Sequence, residues 1–346
     1  MSTTTITTEQ PKFNFEVSAP PQPSLDKGEQ QLFEEATKPE KKLSSTKTTC
    51  CQKPYYDVTL NYRLDVTKGG DEIIWGGTYG QMRRKYEKAA VRIFDERGHE
   101  DDFHLDVQGF QLVKHKTQTL TVVDDVAVMK GSAYDGECEE LLKTTFHPSE
   151  VFVMSTLTRR RSWKDTLAEQ EAAGDQRPDM EMTKGNLSAR FVHCDQSYDG
   201  ARRQLYEVLG SEIAAEREKH RWAIVNIWRP LETVVNEPLG MTDARSIRED
   251  ELVDTMHLVP NRWPDRPVEN HMWSVRPPQD PQQHKWHFFS HMTPEECLMI
   301  KIFDSKNDGR AKRVPHSAFP TPDDFGPVRR STETRCFLFW DDQDAE

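Results

Sequence analysis

The sequence predicts a mainly β protein with flanking helices, built on a double-stranded β-helix core of the jelly-roll, cupin-like kind. Short segments that alternate apolar and polar residues recur between residues 55 and 340, as strands with one buried face do. A His-x-Asp triplet, a distant His and an Arg on a later strand follow one another in the order that suits this fold, where a metal sits at one mouth of the barrel.

Composition indicates a globular protein that does not bind nucleic acid. The 346 residues are 35% hydrophobic and 30% charged, with a formal net charge of −12. The only notable basic run is 159–161, whereas polyanion-binding proteins normally carry a basic face. No apolar run approaches the roughly 18–20 residues of a membrane span, and no secretory signal is evident at the N-terminus. We expect a small-molecule substrate as the partner, neither nucleic acid nor a membrane, and a homodimer is compatible with the sequence.

The spacing of the six cysteines bears on the cellular compartment of the protein. They form no C-x-x-C pair: two are adjacent at positions 50 and 51, and the others are scattered. This pattern argues against a zinc finger or a disulfide framework and fits a reducing compartment, so we predict a cytoplasmic location.

The first half of the chain begins with a polar tail. Residues 1–48 are rich in Thr, Ser, Pro, Glu and Lys and cannot bury a core, so we predict a disordered tail followed by a single catalytic domain over 49–346. Alternation predicts strands at 55–62, 90–95, 103–107, 110–113 and 151–154, and a helix at 135–145. The polar stretch 162–185 predicts a helix and a flexible loop, either a lid or a surface insertion.

The second half contains an amphipathic helix and three long strands. The helix is predicted over 199–221 because apolar residues recur at helical spacing, at Ala201, Leu205, Val208, Leu209 and Ile213. The strands are predicted at 222–229, 298–303 and 331–340. Asn226 shares a strand face with Ile224 and Trp228, and it needs a hydrogen-bond partner, which is either a backbone group or a co-substrate carboxylate.

A His-, Trp- and Pro-rich stretch spans 256–292. His287 and His291 are four residues apart, but prolines at 277, 278 and 281 and the sequence His-Phe-Phe indicate a strand rather than a metal-binding helix. The aromatic residues of 222–228 and 263–289 are predicted to belong to the core or to the walls of a substrate pocket.

Three His-x-Asp triplets compete as metal ligands, where the composition predicts about two triplets of His-x-acid, with either Asp or Glu, by chance. His99 of the first lies in a charged turn, and the second, at 104 and 106, shares a predicted strand face. In the third, His193 and Asp195 project to the same side of a strand end, and the thiol of Cys194 points away into the core. Two His and one carboxylate form the facial triad of non-haem Fe(II) oxygenases. His316 is our candidate for the remaining ligand.

The last strand carries candidate carboxylate-binding groups. Arg329, Ser331, Glu333 and Arg335 point to one side, and Arg329 begins an Arg-x-Ser sequence 13 residues after His316. A guanidinium beside a hydroxyl suits the distal carboxylate of 2-oxoglutarate, because guanidinium binds carboxylate through two hydrogen bonds. Alternatively, these arginines simply pair with Glu333 or surface acids. Further candidates to hold an anionic substrate are Arg190, Arg229 and Lys301.

Several motifs in fixed order resemble the AsaB-like family of mostly fungal proteins, with its gibberellin-desaturase-like and CmcJ-like relatives. They are VHCDQS, NIWRP, LMIKIFDSK, PHSAF and RRSTETRCFLF, and the resemblance spans roughly residues 55–339. It implies a 2-oxoglutarate-dependent dioxygenase with Fe(II), 2-oxoglutarate and O₂. The enzyme would act on an amino acid or a secondary-metabolite intermediate by C–H abstraction, giving hydroxylation, desaturation or ring closure.

The resemblance also implies roles for individual residues. By position, His193, Asp195 and His316 are the catalytic residues and metal ligands. Binding of 2-oxoglutarate falls to Arg329 or Arg335, and we add Ser331 and Asn226 as candidates for the same role.

Two other hypotheses compete with the prediction of an oxygenase. A methyltransferase is disfavoured because the pairs Gly69-Gly70 and Gly76-Gly77 do not form a Gly-rich cofactor loop. The main alternative is a non-catalytic or Zn-dependent cupin-like protein, which would use the same fold without consuming 2-oxoglutarate.

Overall fold

Two β-sheets form the frame of the protein. The structure is a computed structural model that describes residues 53–119, 132–173, 177–260 and 267–345. The predicted tail, Cys50, Cys51 and Trp263 lie outside the described residues.

The larger sheet has nine strands and is mixed. In spatial order they are β1 (Tyr55–Arg63), β3 (Tyr86–Asp95), β11 (Trp286–Phe288), β8 (Leu239–Thr242), β13 (His316–Ala318), β6 (His193–Cys194), β10 (Val268–Val275), β9 (Leu252–Val259) and β2 (Ile73–Trp75). Neighbours pair antiparallel except β11 with β3 and β2 with β9.

The smaller sheet has five antiparallel strands. In spatial order they are β4 (Phe110–Lys114), β12 (Glu296–Asp304), β7 (His220–Pro230), β14 (Ser331–Asp344) and β5 (Glu150–Arg159). A bulge interrupts β5 beside Arg335, since Arg335 faces Ser155 while the next residue, Cys336, faces Val153. Bulges of this kind are common next to active sites.

A hydrophobic core lies between the two sheets. Ile224 and Phe337 of the smaller sheet belong to the same buried cluster as Met241 and Cys194 of the larger sheet. Two apolar inner faces packed on each other are the jelly-roll arrangement that the sequence predicts. The prediction for Cys194 is confirmed, because its thiol is buried and donates to the Ile302 carbonyl.

Five helices of the described chain flank the sheets. They are α1 (Tyr79–Arg83), α2 (Ala133–Phe146), α3 (Trp163–Ala172), α4 (Tyr198–Leu209) and α5 (Ser211–Arg217). Short 3₁₀ turns occur at Val66–Lys68, Glu100–Asp102, Ala244–Ser246 and Glu249–Glu251. Helix α2 covers the outer face of the smaller sheet, where Leu142 packs with Val225 and Leu338. Within the described chain, no helix has the length and apolarity needed to cross a membrane.

The strand predicted at 103–107 is wrong. Residues 103–109 form turns before β4, with Phe103 and Leu105 buried although they do not lie on a strand. Asp106 pairs there with Lys301, Arg221 and Arg310, so charge pairing rather than strand pairing holds this segment. His104 and Asp106 therefore do not form a metal site.

The single helix predicted over 199–221 is two helices. Gly210 separates α4 from α5 and has a φ of +80°, a conformation that glycine adopts without strain. The break rotates the apolar stripe, and Ile213, predicted to be buried, is 54% exposed.

Candidate active site

His193 and His316 lie on adjacent short strands. The register of β6 and β13 places them directly opposite each other, and their ring centroids are 4.6 Å apart. Both side chains are buried. Two residues separated by more than 100 positions are thus brought together by backbone pairing.

Each imidazole is oriented by a backbone carbonyl two residues earlier. His193 Nδ1 donates to the Phe191 carbonyl at 2.8 Å, and His316 Nδ1 donates to the Val314 carbonyl at 3.0 Å. A proton held on Nδ1 leaves the lone pair of Nε2 available to a metal.

Asp195 completes the cluster through one oxygen. Its Oδ1 lies 3.4 Å from His193 Nε2 and 3.9 Å from His316 Nε2. Candidate ligand atoms of the three residues all lie within 4.8 Å of one another, and no other such group occurs in the described ranges. This donor set, two neutral imidazoles and one carboxylate, fits the facial arrangement that binds Fe(II).

The second oxygen of Asp195 is held by two residues of the smaller sheet. Asn226 Nδ2 donates to Oδ2 at 2.7 Å, and Arg335 donates from Nε at 3.1 Å and Nη2 at 3.0 Å. Asn226 of β7 and Arg335 of β14 are directly opposite in register. Three hydrogen bonds on Oδ2 leave Oδ1 as the oxygen that faces the imidazoles.

The electrostatics keep Asp195 and His316 in their metal-binding protonation states. Burial alone would raise the pKa of the Asp195 carboxyl, but Arg335 and the two imidazoles hold it well below its usual range. Burial lowers the pKa of His316 to about 4, and the charges of His193 and Arg159 add to this effect. Asp195 is therefore ionised and His316 neutral near pH 7.

A cavity of about 1800 Å³ opens onto His193 and Asp195. Its apolar wall consists of aromatic, methionine and leucine side chains, among them Tyr86, Trp163, Phe191, Met82, Met154, Met182, Met272, Leu157 and Leu167. Of the two alternatives predicted for the aromatic residues of 222–228 and 263–289, the structure shows the core for four tryptophans. Trp222, Trp228, Trp273 and Trp286 pack in hydrophobic clusters, and none of them lines this cavity.

The two arginines predicted to bind 2-oxoglutarate occupy different environments. Arg335 lines the cavity, but its guanidinium already binds Asp195 and Glu333. Arg329 does not line the cavity; it donates to the Glu237 carbonyl and lies over the ring of Trp228. Burial lowers the pKa of Arg329 to about 9.

Ser331 and Asn226 are both buried near these arginines. The hydroxyl of Ser331 has no hydrogen-bond partner among the described residues. The amide nitrogen of Asn226 is engaged with Asp195, and its Oδ1 is buried without a partner. The partner of the Asn226 amide nitrogen is therefore the side chain of Asp195, which is neither of the two partners predicted for it, a backbone group or a co-substrate carboxylate.

The three cations suggested for an anionic substrate all have partners in the protein. Lys301 is buried against Asp106 and Asp304, and neither it nor Arg229 lines the cavity. Arg229 donates to Tyr134 and to two backbone carbonyls. Arg190 does line the cavity but is paired with Glu237.

Sequence reasoning missed two polar residues of the cavity wall, Arg159 and His257. Arg159 stands directly opposite Ser331 in the register of β5 and β14. It belongs to the basic run 159–161, and positive charge was the only sign in the sequence that this run could bind a ligand. His257 lies on β9, a strand that the sequence pattern did not reveal.

Three comparisons relate this chain to known proteins. Residues 61–339 match a family model described as an oxidoreductase/YMDC permease-like domain. The chain is 53% identical to hydroxylase/desaturase CTB9 of Cercospora beticola over 100% of both chains. It is 30% identical to hydroxylase/desaturase asaB of Aspergillus flavus over 77% of this chain and 87% of that one. The solved structure of the iron and alpha-ketoglutarate-dependent endoperoxidase NvfI shares its fold, with a TM-score of 0.63, 21% identity, and coverage of 84% of this chain and 99% of that one.

Proposed function

This chain belongs to the fungal hydroxylase/desaturase family, within the oxidoreductase domain family that its sequence matches, and from that premise we propose how its site works. The resemblance drawn from the motifs is confirmed. The protein is an Fe(II)/2-oxoglutarate-dependent oxygenase that acts on a small molecule. Its reaction belongs to the group of hydroxylation, desaturation and oxidative ring closure.

We assign Fe(II) to His193, Asp195 and His316. The observation that carries this assignment is the convergence of two Nε2 atoms and Asp195 Oδ1, with every other polar atom of these side chains already hydrogen-bonded. Iron with 2-oxoglutarate and O₂ supplies the oxidation of a substrate C–H bond. The protein residues would orient the metal and the co-substrate beside the cavity that receives the substrate.

We assign the distal carboxylate of 2-oxoglutarate to Arg159 with Ser331. Arg159 lines the cavity and donates to the Leu187 carbonyl, and within the described chain no carboxylate pairs with it. The other partly buried arginines of the cavity wall are already engaged: Arg335 and Arg190 with acids, and Arg84 mainly with the carbonyls of Ile73 and Asp71.

Cross-strand geometry supports the pairing of Arg159 with Ser331. Directly opposite residues on antiparallel strands project from the same face with Cβ atoms about 5 Å apart. Ser331 does not itself line the cavity, but its hydroxyl is buried, unpartnered and on the strand directly opposite Arg159, so we assign it a supporting hydrogen bond to the carboxylate that Arg159 binds. The Arg and Ser expected as neighbours in sequence are, in this assignment, neighbours across two strands.

The test is the affinity for 2-oxoglutarate under anaerobic conditions. We expect Arg159→Gln to weaken binding to the Fe(II) protein by roughly 10- to 100-fold, since a charge-assisted pair is lost. Binding of 2-oxopentanoate, which lacks the distal carboxylate, should change little. Arg203→Gln is the control, because Arg203 lies at the cavity wall but pairs with exposed Glu269.

The same binding measurement on three arginine variants can contradict this assignment. In the contradicting result, Arg159→Gln binds 2-oxoglutarate as tightly as the wild type, and Arg329→Gln or Arg335→Gln keeps its iron but binds 2-oxoglutarate more weakly. The arginine replaced in the weakened variant would then be the one that binds the co-substrate.

The size of the cavity bears on the substrate. Pockets for drug-sized ligands measure roughly 300–1,000 Å³, and this cavity of about 1800 Å³ exceeds that range. Of the two substrate classes predicted, a secondary-metabolite intermediate therefore suits the cavity better than an amino acid.

Two further predictions concern the protein in the cell. We infer a cytoplasmic location from the cysteine pattern, and Cys138, Cys194, Cys297 and Cys336 are free and buried thiols. Imaging of a tagged protein checks the location. A homodimer stays a prediction, for which light scattering of the purified protein is the measurement.

A further inference from the structure

His257 lines the cavity together with His193 and Asp195. Its strand, β9, pairs with β10, where Asn270 stands directly opposite His257. Asn270 donates to the backbone carbonyl of Asp195 at 2.9 Å. One strand pair and one hydrogen bond thus connect the His257 position to the backbone of Asp195.

Neither ring nitrogen of His257 has a hydrogen-bond or ion-pair partner in the described ranges. Other histidines of the same sheet do: His287 Nδ1 bonds Glu96 at 2.8 Å, and His271 Nδ1 bonds Asp254 at 3.0 Å. His257 is also outside the three-residue metal-binding group. A polar ring at a cavity wall without a protein partner is available to a ligand.

Gly76 provides the space for this ring. A Cβ at Gly76 would lie 2.2 Å from His257 Nε2 and 2.5 Å from Cε1, so any larger residue displaces the imidazole. The amide of Gly76 donates to the Leu258 carbonyl at 2.7 Å, which holds the glycine against β9. The glycine is needed here for space, since its φ is not in the left-handed region.

The imidazole is neutral in the folded protein. Burial lowers the pKa of His257 to about 4, and the charges of His193 and Arg335 contribute. A neutral imidazole offers one N–H donor and one acceptor. It suits a hydroxyl or a carbonyl better than a carboxylate, which prefers a charged donor.

We propose that His257, seated on Gly76, is a positioning residue that hydrogen-bonds a neutral oxygen, a hydroxyl or carbonyl, on the substrate next to the carbon to be oxidised. This inference rests on the proposed function. It specifies the substrate class as a bulky molecule with an oxygen substituent near the reacting position. The assignment to substrate follows because the distal carboxylate of the co-substrate has Arg159 on the other sheet.

Two probes of matched shape test the proposal, 2-naphthol and 2-methylnaphthalene, in which a methyl group replaces the hydroxyl. Binding to the anaerobic Fe(II)–2-oxoglutarate protein is measured by equilibrium dialysis. The wild type should prefer 2-naphthol by roughly fivefold to tenfold, the effect of one neutral hydrogen bond. His257→Phe should abolish the preference, and His257→Gln should restore part of it.

Gly76→Ala is the second variant, because it displaces the ring while leaving His257 in the chain. It should lose the preference as His257→Phe does. Gly136→Ala is its control, since a Cβ there meets nothing within 4 Å.

The outcomes separate this inference from the proposed function. Absence of the visible Fe(II)–2-oxoglutarate band in the wild type defeats the proposed function. A normal band with no wild-type preference for 2-naphthol, or with a preference that survives in His257→Phe, overturns only the role of His257. Weaker 2-oxoglutarate binding in His257→Phe also overturns it, because the ring would then serve the co-substrate.

Discussion

At the scale of single residues, the site depends on how Asp195 is held. Its Oδ2 accepts three hydrogen bonds from Asn226 and Arg335, while its Oδ1 faces the two imidazoles. Groups that hold a ligand without touching the metal typically contribute 10- to 100-fold to metal affinity. Arg335 is therefore a positioning residue in our account, although the sequence indicated a role in co-substrate binding.

Loss of that arginine should weaken metal binding. We expect Arg335→Gln to reduce affinity for Co(II), an air-stable substitute for Fe(II), by roughly 10- to 100-fold. Arg335→Lys should recover little, because lysine cannot donate two parallel hydrogen bonds. Titration of the metal-free protein by visible absorption measures this. Unchanged affinity in Arg335→Gln would contradict the positioning role, and Arg203→Gln is the control.

The pH dependence of stability should report on His257. Its pKa is about 4 in the folded chain against an ordinary value of 6.5, so protonation favours the unfolded state. The contribution of the neutral His257 ring to the free energy of unfolding is complete above pH 6.5, and it is lost as the pH falls toward 4. Since the ring is partly exposed to the cavity, we expect the effect to be about 1 kcal/mol between pH 7 and pH 5.

Urea unfolding of the metal-free protein at pH 7 and pH 5 measures this effect. Wild-type protein should lose about 1 kcal/mol more free energy of unfolding than His257→Phe over that interval. Equal losses in the two proteins would mean that His257 is not neutralised by the fold.

At the scale of elements, helix α4 fixes the segment that follows Asp195. Ser197 caps this helix, its hydroxyl accepting from the Gly200 amide at 3.0 Å. The Ser197 amide donates to the His271 carbonyl of β10 at 2.8 Å. The His271 carbonyl of β10 thus holds the start of α4, directly after the segment that carries Asp195.

Gly200 lets α4 approach that carbonyl. A Cβ at Gly200 would lie 2.1 Å from His271 O, so Gly200→Ala must push the helix away from β10. We expect a loss of about 2 kcal/mol in the free energy of unfolding and weaker metal binding, because Ser197 moves with the helix. Thermal and urea unfolding measure the first effect, and Co(II) titration the second.

Gly136→Ala provides the matched comparison. Gly136 is exposed within α2 and has free space at its Cβ, so alanine should leave stability unchanged or raise it by up to about 1 kcal/mol. Similar destabilisation by both substitutions would show that close packing at Gly200 is not the cause.

At the scale of the whole molecule, the long strands could be predicted from the sequence. The 222–229 and 331–340 segments are long and alternate clearly, and they became β7 and β14 with the predicted faces. The ligand strands β6 and β13 have two and three residues, which is too short for periodicity. His193, Asp195 and His316 were predicted instead from residue chemistry and motif order, and backbone pairing places the two histidines opposite each other.

What could not be predicted depends on contacts between distant strands. Arg159 and Ser331 are opposite each other only because β5 pairs with β14, a register that no local pattern encodes. His257 belongs to the cavity because Gly76 leaves space for its ring, again across two strands. Arg329 had the right sequence context, yet it lies behind the cavity wall against Trp228.

The central claim is that His193, Asp195 and His316 hold Fe(II) in an arrangement that accepts 2-oxoglutarate. The most direct measurement is the weak visible charge-transfer band that appears when Fe(II) and then 2-oxoglutarate are added to metal-free protein without oxygen. We expect the band in the wild type and in the control His99→Ala, an exposed surface histidine, and its loss in His193→Ala and in His316→Ala. The account is contradicted if the folded wild-type protein shows no band. It is also contradicted if the band persists in His193→Ala or in His316→Ala.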